Sequence, residues 1–199
     1  LNGIWTISYG PQADGMATLA ELERGDWPEI PATVPGNVEL DLMRAGVLPD
    51  IVRGYGIYSL RPFEGYRWWY RRSMPSPAVS TGETVDLVFD GIDCCAEVFL
   101  NGSSLGTADN MLIPHRFDVT ALLRADGRPN ELAIRIDSAV IAGRAHEPAA
   151  WEGAGTVNWE SLAIRKAPHM YGWDILPRIV SAGLWRGVRL ETIPATRFG

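Results

Sequence analysis

Cysteine is nearly absent from this chain, which has only two in 199 residues, the adjacent Cys94 and Cys95. On an extended strand, neighbouring side chains point to opposite faces. We therefore expect no ordinary structural disulfide between them, and we expect both to pack as small hydrophobes. The pair gives no information about the redox compartment.

The chain also lacks long hydrophobic runs and basic runs. No apolar run approaches the roughly 20 residues that cross a bilayer, so no membrane span is predicted. No signal-peptide pattern begins at Leu1, and the sequence does not distinguish cytoplasm, periplasm and exterior. The net charge of -6, without a basic run, offers nothing to neutralise phosphates. Nucleic acid is therefore excluded as an expected partner.

Metal and cofactor motifs are missing as well. The three histidines do not join a cysteine cluster of zinc-site spacing. No nucleophile elbow, phosphate-binding loop or dinucleotide fingerprint is present. Asp109-Asn110 and the Asp90 to Asp93 segment offer oxygen atoms that calcium prefers, although such clusters are more often turns. We expect no cofactor, with a structural calcium ion as the alternative.

What the sequence does contain is alternation of apolar and polar residues. Residues 84–90 and 131–137 alternate with period two, which is typical of half-buried strands. Asn101-Gly102 after an apolar run predicts a type I′ hairpin turn. Further strands are predicted at 3–9, 67–73, 95–100, 116–119 and 184–192, with one short helix at 37–45. We predict an all-β fold, a two-sheet antiparallel sandwich forming a single domain over 1–199.

One long segment, 139–183, shows no strong alternation but is rich in aromatic residues. It contains Trp151, Trp159, Tyr171 and Trp173. A structureless segment of this length inside a compact domain is usually functional or disordered, and the aromatic content argues against disorder. We predict a long aromatic-rich loop with a functional role.

The end of this segment carries a family resemblance. Residues 165–174 read Arg-Lys-Ala-Pro-His-Met-Tyr-Gly-Trp-Asp, and residues 182–190 read Ala-Gly-Leu-Trp-Arg-Gly-Val-Arg-Leu. Other matching segments lie in order at 1–5, 34–37, 41–50, 68–72, 89–93, 98–106 and 117–120. Together they resemble the N-terminal sugar-binding domain of glycoside hydrolase family 2, in its β-mannosidase-like or β-galactosidase-like branch. One difference is Ile175-Leu176-Pro177, where β-mannosidases usually have Trp-Gly-Pro.

The resemblance implies a jelly-roll sandwich of the galactose-binding type, followed by an immunoglobulin-like domain and a catalytic (β/α)8 barrel. A retaining glycosidase needs two carboxyl groups about 5–5.5 Å apart, and the resemblance places both on the barrel. A barrel needs about 250 residues, so this chain alone should not hydrolyse glycosides. The implied partners are a β-glycoside and the downstream catalytic domain of a retaining β-glycosidase.

The resemblance also assigns two site residues, with alternatives. Asp174 would accept hydrogen bonds from hydroxyls of the terminal sugar, and Trp173 would form a wall of the pocket. Alternatively, Asp174 is a structural carboxylate paired with Arg165, Lys166 or Arg178, and Trp173 is a core or interface aromatic. Arg165 and Lys166 are predicted to be local scaffold.

Two other functional classes stay open. The same type of sandwich carries sugar sites on its loops, so the chain could be an autonomous carbohydrate-binding module. It could also be a purely structural domain that supports the barrel. If the parent protein carries a barrel, this chain alone should expose an apolar face where the barrel docks. We expect homo-oligomerisation through that face.

Overall fold

The computed structural model describes residues 1–147 and 158–195. In this part the chain forms two antiparallel sheets packed face to face. The strands are β1 (Gly3–Pro11), β2 (Glu29–Val34), β3 (Tyr66–Met74), β4 (Thr84–Phe89), β5 (Cys95–Leu100), β6 (Ser103–Ala108), β7 (His115–Asp118), β8 (Asn130–Asp137) and β9 (Val188–Ile193). One sheet has the order β2-β1-β3-β8-β5-β6 and the other the order β7-β4-β9. The predicted all-β jelly-roll sandwich is confirmed.

The alternating segments form the strands that they predicted. In β4, Val85, Leu87 and Phe89 are fully buried between the sheets. In β8, the same inward positions bury Leu132, Ile134 and Ile136. Inward apolar and outward polar residues are what an antiparallel sheet with one solvated face requires.

The hairpin between β5 and β6 is also confirmed. Asn101 and Gly102 both have positive φ, 52° and 86°, as a type I′ turn requires. The Asn101 side chain donates to the Leu122 carbonyl at 2.8 Å, and its Oδ1 accepts from the Glu131 N–H at 2.9 Å. The turn is therefore tied to the loop and the strand beside it.

One strand was not predicted, and one predicted strand begins at a different residue. Strand β2 was missed because Pro31 interrupts its short apolar pattern. Proline is tolerated there since β2 lies at the edge of the sheet. Strand β9 begins at Val188 rather than at residue 184. Just before it, Gly183 instead forms an isolated bridge with Asp93.

The predicted helix is present as α2 (Val38–Arg44), and Asn37 caps it by accepting from the Leu40 N–H at 3.1 Å. The described part also contains two other short helices, α1 (Leu19–Arg24) and α3 (Ala139–Arg144). None of the described helices has the length and hydrophobicity that crossing a bilayer requires.

The predicted aromatic-rich loop is partly ordered into short elements. It begins with α3 and carries the 3₁₀ segments Trp159–Leu162 and Pro168–Tyr171. Tyr171 is fully buried, whereas Trp173 is largely exposed. Trp151 lies outside the described residues.

The expectation for the two cysteines is wrong in its geometry. Strand β5 begins at Cys95, and Cys94 lies in the bend before it, so the alternation of an extended strand does not apply. The two sulfur atoms lie 3.6 Å apart on the same side of the chain. Cys94 does pack as a small hydrophobe, in a buried cluster with Met111 and Ala139.

Candidate functional site

The two predicted site residues lie on a tight turn. The Trp173 N–H donates to the Leu176 carbonyl at 3.0 Å, and the Leu176 N–H returns a bond to Trp173 at 3.2 Å. Asp174 and Ile175 therefore occupy the tip of the turn. Gly172 precedes it with φ 101° and ψ 147°, a conformation essentially restricted to glycine.

The turn presents large apolar side chains to solvent. Trp173 is 73% exposed and Ile175 is 88% exposed. Folding alone favours burial of such side chains, roughly in proportion to their apolar area. Trp173 is thus not a core residue of this chain, which leaves the interface and the sugar-wall interpretations.

Arg178 fixes the C-terminal side of this turn. Its guanidinium makes a two-pronged contact with the Glu64 carboxylate, with both N–O distances 2.8 Å. The same group donates to Glu160 Oε1 at 2.8 Å and to the Tyr171 carbonyl at 3.3 Å. The guanidinium carbon of Arg178, Cζ, also lies 5.4 Å from the centre of the Tyr171 ring. Planar, paired contacts of this kind are the strong form of the ion pair.

Arg178, Glu64 and Glu160 together form an ion-pair cluster, here called the clamp. Glu160 is almost completely buried and stays charged in it. Burial tends to raise the pKa of Glu160, but hydrogen bonds from its own backbone N–H and from Arg178 outweigh it. The charges of Arg178 and Arg144 act in the same direction, and the pKa is lowered overall. The clamp therefore keeps its charges at neutral pH.

Lys166 anchors the other side of the segment through a buried ion pair. Its side chain is 0% exposed and that of its partner, Asp93, is 4% exposed. The Lys166 ammonium contacts both carboxylate oxygens of Asp93, Oδ2 at 2.5 Å, and donates to the Ser181 carbonyl at 2.7 Å. Burial raises the pKa of Asp93, and the Lys166 charge opposes this effect.

A second buried carboxylate, Glu39 of α2, extends this polar group. The Ser181 hydroxyl donates to Glu39 Oε2 at 2.8 Å. Burial raises the pKa of Glu39 to about 7, although the hydrogen bonds of its own backbone and of Ser181, together with the charge of Lys166, partly oppose the rise. Glu39 is therefore a carboxyl group that changes charge near neutral pH.

A groove of about 330 Å³ separates α2 from the turn. Its lining is mainly apolar, with Leu40, Ile51, Met170, Leu176 and Ile179, while Glu39 and His169 contribute polar atoms. Leu176 belongs to both the turn and the groove. The exposed turn and the groove thus form one continuous surface.

The ion pairs bear on the alternative interpretation of Asp174. Lys166 is paired with Asp93, and Arg178 with Glu64 and Glu160. Among the described residues, no ion pair joins Asp174 to Lys166, to Arg178 or to Arg165, the third cation of that alternative. The prediction that Lys166 is scaffold is confirmed, but its partner is Asp93 rather than Asp174.

The sequence analysis did not predict the partners of Arg178 and Lys166. Glu64 and Glu160 lie 114 and 18 residues from Arg178, and Asp93 lies 73 residues from Lys166. No local spacing connects such residues. The one signal was the density of charged residues around the aromatic segment, which does not name their partners.

Several of the oxygen-bearing side chains considered for calcium have other partners. Asp90 pairs with Arg189, Asp93 pairs with Lys166, and the Asn110 side chain closes its own turn by accepting from the Leu112 N–H. Over residues 1–147 and 158–195, no group of three or more His, Cys, Asp or Glu side chains could hold a metal ion.

Comparison with known proteins identifies the family. Residues 11–186 match the model described as the glycosyl hydrolase 2 galactose-binding domain-like family. The chain therefore belongs to this domain family of glycoside hydrolase family 2.

Individual relatives place it in the β-mannosidase-like branch. Beta-mannosidase B of Thermothelomyces thermophilus is 38% identical over 161 residues, which is 79% of this chain and 18% of that protein. Beta-mannosidase B of Emericella nidulans is 36% identical over 173 residues, which is 85% of this chain and 20% of that protein. The crystal structure of Beta-D-mannosidase from Dictyoglomus thermophilum superposes with TM-score 0.79 at 30% identity, covering 96% of this chain and 22% of that one. The chain thus spans about a fifth of the length of these relatives.

Proposed function

We propose that residues 1–199 form the non-catalytic N-terminal domain of a retaining β-glycosidase and supply the Trp173-Asp174 turn to its terminal-sugar subsite. The observation that carries the proposal is the exposure of Trp173 on a turn whose flanks are fixed by buried ion pairs. The span of about a fifth of the β-mannosidase relatives supports further domains in the parent protein. The proposed ones are the immunoglobulin-like domain and the barrel that the family resemblance implies.

The chemistry of the turn suits a sugar. A pyranose ring has an apolar face, which the exposed indole of Trp173 can cover. It also has hydroxyl groups, which can donate hydrogen bonds to the Asp174 carboxylate. The two residues are adjacent in sequence, so one turn delivers both. A β-glycoside, with a β-mannoside as the first to test, is the proposed substrate of the parent.

The groove beside the turn is the proposed contact surface for the catalytic domain. Leu176 lines the groove and closes the turn, so a barrel that receives Asp174 at its sugar site must also approach this groove. Its apolar lining, which includes Leu40 and Ile51, suits an interface between domains. Without that domain, the same surface would favour self-association, which is the proposed origin of any homo-oligomer.

The test is Asp174→Asn and Asp174→Ala in the full-length protein, assayed with an aryl β-mannoside. Hydrogen bonds to a charged group contribute about 1.5–3 kcal/mol, so kcat/KM should fall roughly 10- to 150-fold. Asp14→Ala, an exposed carboxylate on a 3₁₀ turn, is the matched control and should leave kcat/KM unchanged. A purely structural domain predicts a silent Asp174→Ala, and that result would reject the site.

The autonomous binding module is distinguished by a separate measurement. Calorimetric titration of the 199-residue chain with mannose and short β-mannosides should show no tight binding if the catalytic domain completes the subsite. Tight binding of a sugar that depends on Trp173 would instead favour the autonomous module.

A further inference from the structure

The structure brings the only two cysteines of the chain together. Because Cys94 lies in the bend before β5 and Cys95 is the first residue of the strand, their side chains lie on the same side of the chain. Their sulfur atoms are 3.6 Å apart, and one thiol donates to the other. Neither group takes part in the proposed sugar-binding turn.

The surroundings make the two thiols unequal. Cys94 is 1% exposed and packs in the cluster with Met111 and Ala139, whereas Cys95 is partly exposed. The hydrogen bond from Cys94 lowers the pKa of Cys95, aided by the Lys166 charge and opposed by burial and by Asp137 and Asp93. The same hydrogen bond, with burial, raises the pKa of Cys94. The thiolate thus forms first on Cys95, and a thiolate is the reactive form of cysteine.

The geometry of the pair favours one type of chemistry. Adjacent residues have Cα atoms at most about 3.8 Å apart, below the roughly 4.4–6.8 Å that an ordinary disulfide spans, so a disulfide between them would be strained. Two sulfurs bound at about 2.3 Å to one pyramidal atom, with roughly 100° between the two bonds, lie roughly 3.5 Å apart. The observed 3.6 Å is close to that value. The pair is therefore arranged for a bridge through a single soft atom.

We propose that Cys94 and Cys95 form a vicinal dithiol site that captures trivalent arsenicals. Trivalent arsenic bonds two thiol sulfurs and keeps its third substituent, so it needs no further protein ligand. Tetrahedral zinc would need additional ligands, and the described residues hold no group of three suitable side chains.

The reaction conserves atoms and oxidation states. With phenylarsine oxide, the Cys95 thiolate attacks arsenic, and the Cys94 sulfur then attacks the same atom. Two sulfur–arsenic bonds form and the arsenic–oxygen bond is lost. The two thiol protons leave with that oxygen as one water molecule, and arsenic remains trivalent.

The experiment treats the folded full-length protein with one equivalent of phenylarsine oxide and then with excess mercaptoethanol or dimercaptopropanol. Trypsin releases residues 73–116 as one peptide, because no Lys or Arg lies between Arg72 and Arg116. Its mass should show one phenylarsenic group that survives the monothiol and is removed by the dithiol. Cys94→Ser and Cys95→Ser should each weaken retention at least 100-fold.

A second comparison keeps the test valid if either serine variant fails to fold. The wild-type protein is treated in buffer and in concentrated urea, and the folded form should retain arsenic at least as well as the unfolded one. Labelling only after unfolding would overturn the proposal. Release from the folded wild type by the monothiol would overturn it as well.

Discussion

Replacing Lys166 by methionine should strongly destabilise the fold. Methionine has a similar length but no charge, so it leaves the Asp93 carboxylate buried, 4% exposed, without its cation. The Ser181 carbonyl loses a donor at 2.7 Å in the same change. Removing one partner of a buried ion pair costs about 3–5 kcal/mol. For a chain of this size, each kcal/mol corresponds to about 2–4 °C in Tm, so we expect a decrease of roughly 6–20 °C.

Urea unfolding of the 199-residue chain, followed by tryptophan fluorescence, measures this loss. The double variant Lys166→Met/Asp93→Asn removes both charges, so it should be less destabilised than the sum of the single variants by about 2 kcal/mol or more. Arg128→Met is the control, since its pair with Asp126 is exposed and should contribute nothing measurable.

Two results would refute the reasoning. If Lys166→Met costs less than about 1 kcal/mol, the buried Asp93 carboxylate does not depend on its cation. If the double variant loses the sum of the single losses, the two residues stabilise the fold independently and the ion pair is not the anchor of the segment.

Three further predictions concern the same region. The pKa of Glu39, about 7, lies above its ordinary value of 4.5, so its contribution to stability is present below pH 4.5 and is lost as pH rises through 7. The free energy of unfolding of Glu39→Gln, measured by urea titrations, should therefore rise by about 2–3 kcal/mol relative to that of wild type between pH 5 and pH 8. The same dependence of the two free energies on pH would contradict this. Arg178→Lys should lower kcat/KM of the full-length protein at least tenfold by loosening the turn, as checked with an aryl β-mannoside; unchanged activity would mean that the clamp does not position Asp174. The 199-residue chain should self-associate in sedimentation equilibrium while Leu176→Asp stays monomeric, and identical masses would exclude the groove as the contact.

Local patterns predicted most of the sheet framework for physical reasons. Strand alternation reflects one buried and one solvated face, and Asn101-Gly102 satisfies a turn that needs two positive φ values. Both signals are contained in a few neighbouring residues. Strand β2 was not predicted because Pro31 weakens the local pattern. Its position at the sheet edge, where proline is tolerated, is set by the rest of the fold.

The interior of the candidate site could not be predicted in the same way. Whether Lys166 pairs with Asp174, eight residues away, or with Asp93, 73 residues away, depends on how β5 and the loop meet in space. The cysteine geometry failed for a related reason, since a shift of the strand boundary by one residue changes where a side chain points. The family resemblance led to the prediction of Trp173 and Asp174 as site residues, but it did not indicate the ion pairs of Lys166 and Arg178 beside them.

The distribution of polarity in the 160–178 segment explains why a role beyond folding is needed. Folding alone favours charged groups outside and large apolar groups inside, yet this segment buries Lys166 and Glu160 and exposes Trp173 and Ile175. Buried ion pairs add little stability over apolar replacements, but they restrict geometry, because each charge tolerates few positions for its partner. An exposed indole held at a restricted position is useful only if something binds it. This inverted arrangement therefore supports the proposal that the turn contacts a sugar and a catalytic domain.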